Sequence, residues 1–295
     1  MSHTLLRHAF AKQFSEFVQR CVTQASVVGC SLLLALHASA ASATSYDLVL
    51  AGGRVIDPET QLDAVRNVGI SDGVVQVVTT EKLNGSEVLD VSGLIVAPGF
   101  IDLHSHASVT LAGQKYQARD GVTSALELEA GRYPVVSSLD SVAGESIINY
   151  GVSASYLAIR GEVKGDLSKA FSETASDQEV DEILELVDQE LNNGGIGIGL
   201  PLDYASSVIT PGELHKIFEF AASRDVPIFV HIRRGETPGD VRGLNEVVHL
   251  ATQTGAAIHI CHINSSALSG IASFLDIVRR AQSSGMDITA EAYPY

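Results

Sequence analysis

The sequence predicts an α/β fold, an incomplete TIM-like (β/α) barrel with seven of eight strands present, following a small N-terminal β-sandwich module. Three observations carry this. Seven apolar runs, at Phe100–His104, Thr123–Glu129, Ser155–Arg160, Ile196–Leu202, Pro227–His231, Ala257–Ile263 and Asp287–Ala292, alternate with helix-length amphipathic stretches. Such strand-then-helix units with near-continuous apolar strands imply a parallel sheet buried on both faces, closed as a barrel or, alternatively, doubly wound and open. Ahead of them the chain shows the period-two pattern of short β-strands, and five of its ten histidines fall on the apolar runs or within two residues of one.

Residues 1–43 read as a leader. Arg7, Lys12 and Arg20 precede the apolar stretch Ala25–Leu36, and small-residue runs follow at Ala38–Ala40 and Ala41–Ala43. This is the pattern of a Sec-type signal peptide, so export to a periplasmic or secreted location is expected. The apolar stretch falls short of the ~20 residues of a membrane-spanning helix, so no stable membrane insertion is expected after cleavage. Cys21 and Cys30 belong to this segment; Cys261, in an apolar run beside His262, reads as a buried, inert thiol.

Residues 46–96 form the N-terminal part of the β-sandwich module. Tyr46–Ala51, a turn at Ala51–Gly53, and Arg54–Asp57 open it, and strand-like runs follow at Val68–Ile70, Val74–Val78 and Val88–Val91. Leu94–Gly99 leads into the barrel, assigned to 97–295 and expected to stop before an eighth strand. Its helices are well signalled. Ser176 and Glu179 form a capping box that opens the stretch to Asn192, and Thr210 precedes Pro211 at a first helical position.

Acidic residues outnumber basic ones by 35 to 19, giving a formal charge of −16. A surface of that sign repels phosphate backbones, so no nucleic-acid partner is expected. The sequence gives no oligomeric state.

The strand ends carry the chemistry. In a parallel barrel the carboxyl ends of all strands meet on one face, so side chains distant in sequence converge there. His104 and His106 end the first strand and, two residues apart, point the same way. His231 ends the fifth strand and His262 the sixth. Four neutral imidazoles suit zinc or a similar borderline divalent metal better than calcium or magnesium. Two dications would need an anionic bridge, and the second strand offers Glu127 and Glu129, both placed inward by alternation. Glu129, nearer the carboxyl end, is the first choice; Glu127 is the alternative, or the partner of an inward arginine such as Arg160. His259 differs in parity from His262 and reads as a core or supporting residue. A His-x-His pair alone is weak, and a single strand histidine usually belongs to the core; the conjunction in fixed order on successive units is the specific signal.

At this point the residues resemble a family. Ala97–His106, in the order Ala-Pro-Gly-Phe-Ile-Asp-Leu-His-Ser-His, resembles the metal-binding signature of the amidohydrolase superfamily, and Asp47–Pro58 resembles the opening of its β-sandwich domain. Gly199–Leu200, Thr210–Leu214, His231–Arg233, His262–Ala267 and Ala292–Tyr295 are similar to segments of N-acyl-D-amino-acid deacylases. The resemblance runs from about Tyr46 to Tyr295. It implies one or two divalent ions, zinc first, and a metal-bound hydroxide that attacks the amide carbonyl of a small N-acyl amino acid. It also implies that Arg233 clamps the substrate α-carboxylate, with Arg234 and Tyr293 as weaker candidates; a salt bridge at the barrel mouth is the other reading of Arg233.

Two departures qualify the resemblance. D-aminoacylases carry a metal-binding cysteine after the second strand, where this chain has Glu127 and Glu129. The family's acid/base aspartate lies on an eighth strand, and no residue here matches it by motif, so no catalytic acid/base is assigned. The alternatives are a cyclic-amide hydrolase resembling dihydroorotase or hydantoinase, and an inactive truncated binding protein.

Overall fold

The computed structural model describes residues 45–293. The signal-peptide reading of 1–43 therefore lies outside the described residues. The described chain falls into two compact units that divide between Val96 and Ala97.

The first unit is a five-stranded sheet built on β1 (Ser45–Asp57). Antiparallel β2 (Leu62–Ser71) flanks it and carries β3 (Val74–Thr79), while β4 (Asn84–Asp90) and β5 (Ile95–Val96) pair with β1 in parallel. The turn expected at Ala51–Gly53 is instead an irregularity inside one continuous strand. The register shifts between Leu50 and Gly53, where Gly52 takes φ 75° and donates its N–H to the Asn67 side chain at 2.9 Å. A glycine in that conformation bends the strand without ending it.

The second unit is the barrel sheet. Its strands are β6 (Phe100–Asp102), β7 (Val122–Arg132), β8 (Asn149–Ser155), β9 (Ile198–Leu200), β10 (Ile228–Val230), β11 (Ile258–Ile260) and β12 (Ile288–Ala290). They run in chain order from β6 at one end to β12 at the other, every pairing parallel. This is an incomplete TIM-like (β/α) barrel sheet of seven strands. Between the strands lie α1 (Leu111–Arg119), α2 (Val135–Asp140), α3 (Tyr156–Val163), α4 (Asp177–Asn192), α5 (Pro211–Arg224), α6 (Arg242–Thr254), α7 (Ile263–Ala267) and α8 (Ile271–Ser283). Ile198, Leu200, Ile228, Val230, Ile258 and Ile260 pack outward onto the helices in one continuous core. Fully burying each such side chain contributes about 1.5–3 kcal/mol relative to exposure. Ser176 and Glu179 cap α4 reciprocally, and Thr210 caps α5 ahead of Pro211, as their spacing requires.

The third strand differs from expectation. It is Asn149–Ser155, and the apolar run from Tyr156 is α3, started by Ser155, whose hydroxyl accepts from the Ala158 N–H. Arg160 therefore sits on a helix, fully buried and away from Glu127. Its Nε donates to Glu213 at 2.8 Å and its Nη1 to the Ala170 carbonyl at 2.7 Å, while Tyr156 donates its hydroxyl to the same Glu213 oxygen at 2.9 Å. Among the described residues no helix is long and apolar enough to cross a membrane.

Candidate metal centre

Each polar strand-end residue follows a short apolar strand whose backbone pairing fixes its height. His231 and Glu291 come immediately after β10 and β12, while His104 and His262 come two residues after β6 and β11. The Ser105 N–H bonds to the Leu126 carbonyl, which docks the His104–His106 segment onto β7 beside Glu127 and Glu129.

The arrangement is organised around Glu129, whose side chain is almost entirely buried. Its Oε1 lies 2.6 Å from His231 Nδ1 and 2.9 Å from His262 Nε2. Its Oε2 lies 3.1 Å from His104 Nε2 and 3.5 Å from His106 Nε2. One carboxylate thus gives each oxygen to a different pair of imidazoles. Glu127 stands behind His106, with Oε2 2.8 Å from His106 Nδ1. The arginine that reaches Glu127 is Arg132, at 3.4 Å, and not Arg160, which pairs with Glu213.

His262 enters the site by breaking strand parity. On β11, Ile258 and Ile260 pack toward the helices, whereas Cys261 packs with Leu128 and Phe229. By alternation His262 would turn outward with Ile260. Its backbone instead adopts the left-handed region, φ 34° and ψ 54°, which swings the imidazole onto Glu129. Non-glycine residues held there cluster at functional sites. His259 keeps its alternating place, with Nδ1 2.8 Å from the Thr289 hydroxyl.

Glu291 was not singled out by sequence reasoning. The available signal was a carboxylate one residue past the end of an apolar strand, the position His231 holds on β10. Its Oε1 is 2.8 Å from His104 Nδ1 and accepts the His262 backbone N–H at 2.6 Å. Asp203 was also missed. It accepts the Arg234 backbone N–H at 2.8 Å, and its Oδ2 lies 3.9 Å from His231 Nε2. The Tyr204 ring packs edge-on against His231, with centroids 5.0 Å apart.

The electrostatics follow from this crowding. Burial disfavours charge on His104, but Glu129 and Glu291 outweigh it and raise the imidazole from 6.5 to about 10. Glu127 raises His106. Burial opposes ionisation of Glu129 and Glu291, yet imidazole hydrogen bonds hold both carboxyls below their ordinary range. Burial, with Glu129, Glu291 and Glu127 nearby, pushes the Cys261 thiol well up. Ligand-type atoms lie within 4.8 Å of one another in two sets, His104–Glu129–His262 and His104–Cys261–Glu291.

These residues fit a divalent metal. His231 Nδ1 and His262 Nε2 stand 3.2 Å apart on one oxygen of Glu129, while His231 Nε2 and His262 Nδ1 are buried with no hydrogen-bond partner among the described residues. Three ligand-type atoms converging on buried side chains match the donor set of zinc and its neighbours. His104, His106, Glu129, His231 and His262 would hold the metal, with Glu127 behind His106.

The substrate candidates separate differently. Arg233 donates from Nε to Glu246 at 3.0 Å, from Nη2 to the Ile209 carbonyl at 2.8 Å, and from Nη1 to the Ser206 carbonyl. That is the salt-bridge arrangement, and it leaves the guanidinium fork committed to the protein. Arg234 is exposed beside Asp203 at 3.7 Å, and Tyr293 lies beyond β12 with 38% of its surface exposed.

A parallel (β/α) sheet with imidazoles and carboxylates gathered past its strand ends defines a class of metal-site barrel protein. The chain matches the Amidohydrolase family over residues 95–266, more than half of its length, and belongs to that family. It is similar to allantoinases of Escherichia coli, one of them 26% identical over 85% of this chain and 59% of the relative. Among solved structures it is similar to an N-acyl-D-glutamate deacylase from Bordetella bronchiseptica complexed with zinc and a phosphonate inhibitor, with a TM-score of 0.74 and 21% identity over 85% of this chain and 59% of the other. A D-aminoacylase structure gives a TM-score of 0.71 at 21% identity, with the same coverage of 85% and 59%. The chain therefore spans about three-fifths of the length of these relatives.

Proposed function

We propose that the chain carries the metal centre of a hydrolase acting on carbon–nitrogen bonds other than peptide bonds, with small N-acyl-D-amino acids as its substrates. The observation that carries this reading is the convergence of four imidazoles on the two oxygens of Glu129. A bound divalent ion, zinc first, would supply Lewis acidity that polarises an amide carbonyl and makes water nucleophilic near neutral pH.

The chain's own residues set the stage for that chemistry. His104 and His106 turn Nε2 toward Glu129 while carboxylates occupy their Nδ1 side. The buried Glu129 offsets positive charge at the centre. Leu128, Phe229 and Cys261 form a buried apolar cluster, and low-dielectric surroundings of that kind strengthen neighbouring electrostatic contacts. Fold similarity to the deacylases supports the N-acyl substrate class. Similarity to the allantoinases supports a second reading, hydrolysis of cyclic amides. The leader pattern of residues 1–43 supports an exported location.

The test is elemental analysis of bound metal on the purified protein and on a His104→Ala/His106→Ala variant, with hydrolysis of N-acyl-D-amino acids assayed against hydantoins. One or two metal equivalents in the parent, a clear loss in the variant and turnover of the acyl amino acids would support the reading. Turnover of hydantoins alone would favour the cyclic-amide alternative. A folded parent without metal would overturn both.

A further inference from the structure

We propose that Glu291 is a positioning residue for the metal centre: it fixes His104 with Nδ1 protonated and Nε2 directed at the metal position, and it holds the left-handed turn at His262. The proposal rests on the reading of this cluster as a metal centre and adds to it a residue outside the ligand set.

The geometry carries the argument. A single oxygen, Glu291 Oε1, is 2.8 Å from His104 Nδ1 and accepts the His262 N–H at 2.6 Å. Two residues 158 positions apart in sequence, His104 and His262, are thereby referred to one atom. That atom is itself well anchored. The Glu291 N–H bonds to the Ile260 carbonyl at 3.1 Å, and the Glu291 carbonyl accepts the Ile263 N–H at 2.9 Å, so both sides of its backbone are tied to the strand end that presents His262. A carboxylate accepts and does not donate, so the proton between Glu291 and His104 resides on Nδ1, and the proton on the opposite Nε2, which faces Glu129 at 3.1 Å, is the one a metal would displace.

The same device stands behind His106, where Glu127 occupies Nδ1. Among the described residues it is missing from the other pair, since His231 Nε2 and His262 Nδ1 are buried there without a hydrogen-bond partner. The two halves of the centre are therefore unequal. Carboxylate backing of this kind orients a ligating imidazole and raises its basicity, and its loss lowers metal affinity by about 10–100-fold. His262 receives its support through the backbone, at the one site histidine whose φ lies in the left-handed region.

The experiment uses the full chain with ¹⁵N-labelled histidine, as parent, Glu291→Gln and Glu291→Ala, each titrated with zinc and each checked by thermal melting. The parent is expected to show a downfield Nδ1 proton for His104, assigned by its loss in His104→Ala, with and without zinc. Glu291→Gln, which keeps an acceptor oxygen, is expected to retain that proton and to bind zinc within a few-fold of the parent. Glu291→Ala is expected to lose it, to speed exchange of the His262 amide, and to weaken zinc by about 10–100-fold. A parent lacking the Nδ1 proton, or a Gln variant as impaired as Ala, would overturn the proposal. So would a folded Ala variant with unchanged zinc binding. Should the Ala variant not fold, the parent and Gln spectra still decide. A parent that shows the Nδ1 proton but binds no zinc would overturn the metal-centre reading and, with it, the metal-directing part of this one.

Discussion

Gly199 lies directly against the backbone of Glu129: a Cβ built on it would stand 2.7 Å from the Glu129 carbonyl oxygen and 2.8 Å from that of Leu128. The Ser153 hydroxyl is nearer still, at 2.5 Å; all three separations are below any ordinary carbon contact, and two of the three facing atoms are backbone. Gly199→Ala is therefore expected to push β7 away from β9 and displace the carboxylate at the middle of the site. Overpacking of this kind costs about 1–3 kcal/mol. Melting and bound-metal measurements on the same sample check it; a variant with unchanged melting and full metal content would contradict the contact.

A second expectation concerns pH. The His104 pKa is raised in the folded protein from 6.5 to about 10, so its stabilising contribution is complete below 6.5 and is lost as pH rises toward 10. Glu129 and Glu291 are lowered from 4.5, so their contribution is complete above 4.5 and is lost as pH falls through their folded values. The stabilising effect of this cluster in chelator-treated protein should thus be greatest between 4.5 and 6.5. Melting temperatures of the treated parent and Glu129→Gln should differ most there and draw together toward alkaline pH. A gap that widens with pH would show that His104 is not charged by these carboxylates. Metal uptake near neutral pH should release protons, which calorimetry in buffers of different ionisation enthalpy measures.

Arg160 and Glu213 form a buried ion pair in which both side chains are essentially inaccessible. Removing one partner leaves a buried charge, so Arg160→Ala is expected to cost about 3–5 kcal/mol. The double variant Arg160→Met/Glu213→Leu should recover much of that loss. Denaturant unfolding of the single and double variants measures the difference, and additive losses would argue against direct coupling.

Arg233 offers a test between the substrate clamp and the salt bridge at the barrel mouth. With its guanidinium committed to Glu246, Ser206 and Ile209, Arg233→Ala should lower stability by about 1 kcal/mol, the cost of leaving part-buried partners without their donor. Its effect on kcat/KM should be the same, within about twofold, for an N-acyl amino acid and for the corresponding carboxamide. A selective loss on the carboxylate substrate would restore the clamp.

Much of the fold was legible because near-continuous apolar strands and capped amphipathic helices leave strong periodic signals, as at Ser176–Glu179 and Thr210–Pro211. The third strand was misplaced for a physical reason. Tyr156–Arg160 is a short apolar run compatible with either state, and only the Ser155 cap reveals a helix, whereas Asn149–Ser155 is made of small and polar residues that carry little strand signal. The His-x-His pair, Glu127, Glu129, His231 and His262 all reach one cluster, yet parity alone would have turned His262 outward; a left-handed residue leaves no periodic trace. Glu291 was overlooked because a lone acid invites no pairing until β12 is laid beside β11. Arg233 illustrates the opposite limit, since sequence shows a charge but not the carbonyls that already occupy it.

His104 and Glu291 follow the two outermost strands of the seven-stranded sheet, β6 and β12, which share no backbone pairing among the described residues. Their contact therefore works as a latch, closing a loop of 187 positions with a single side-chain bond where the peptide ladder stays open. Metal that holds His104 in place is expected to steady both margins, so amide exchange along Phe100–Asp102 and Ile288–Ala290 should slow as metal is added, reporting occupancy from the rim of the fold.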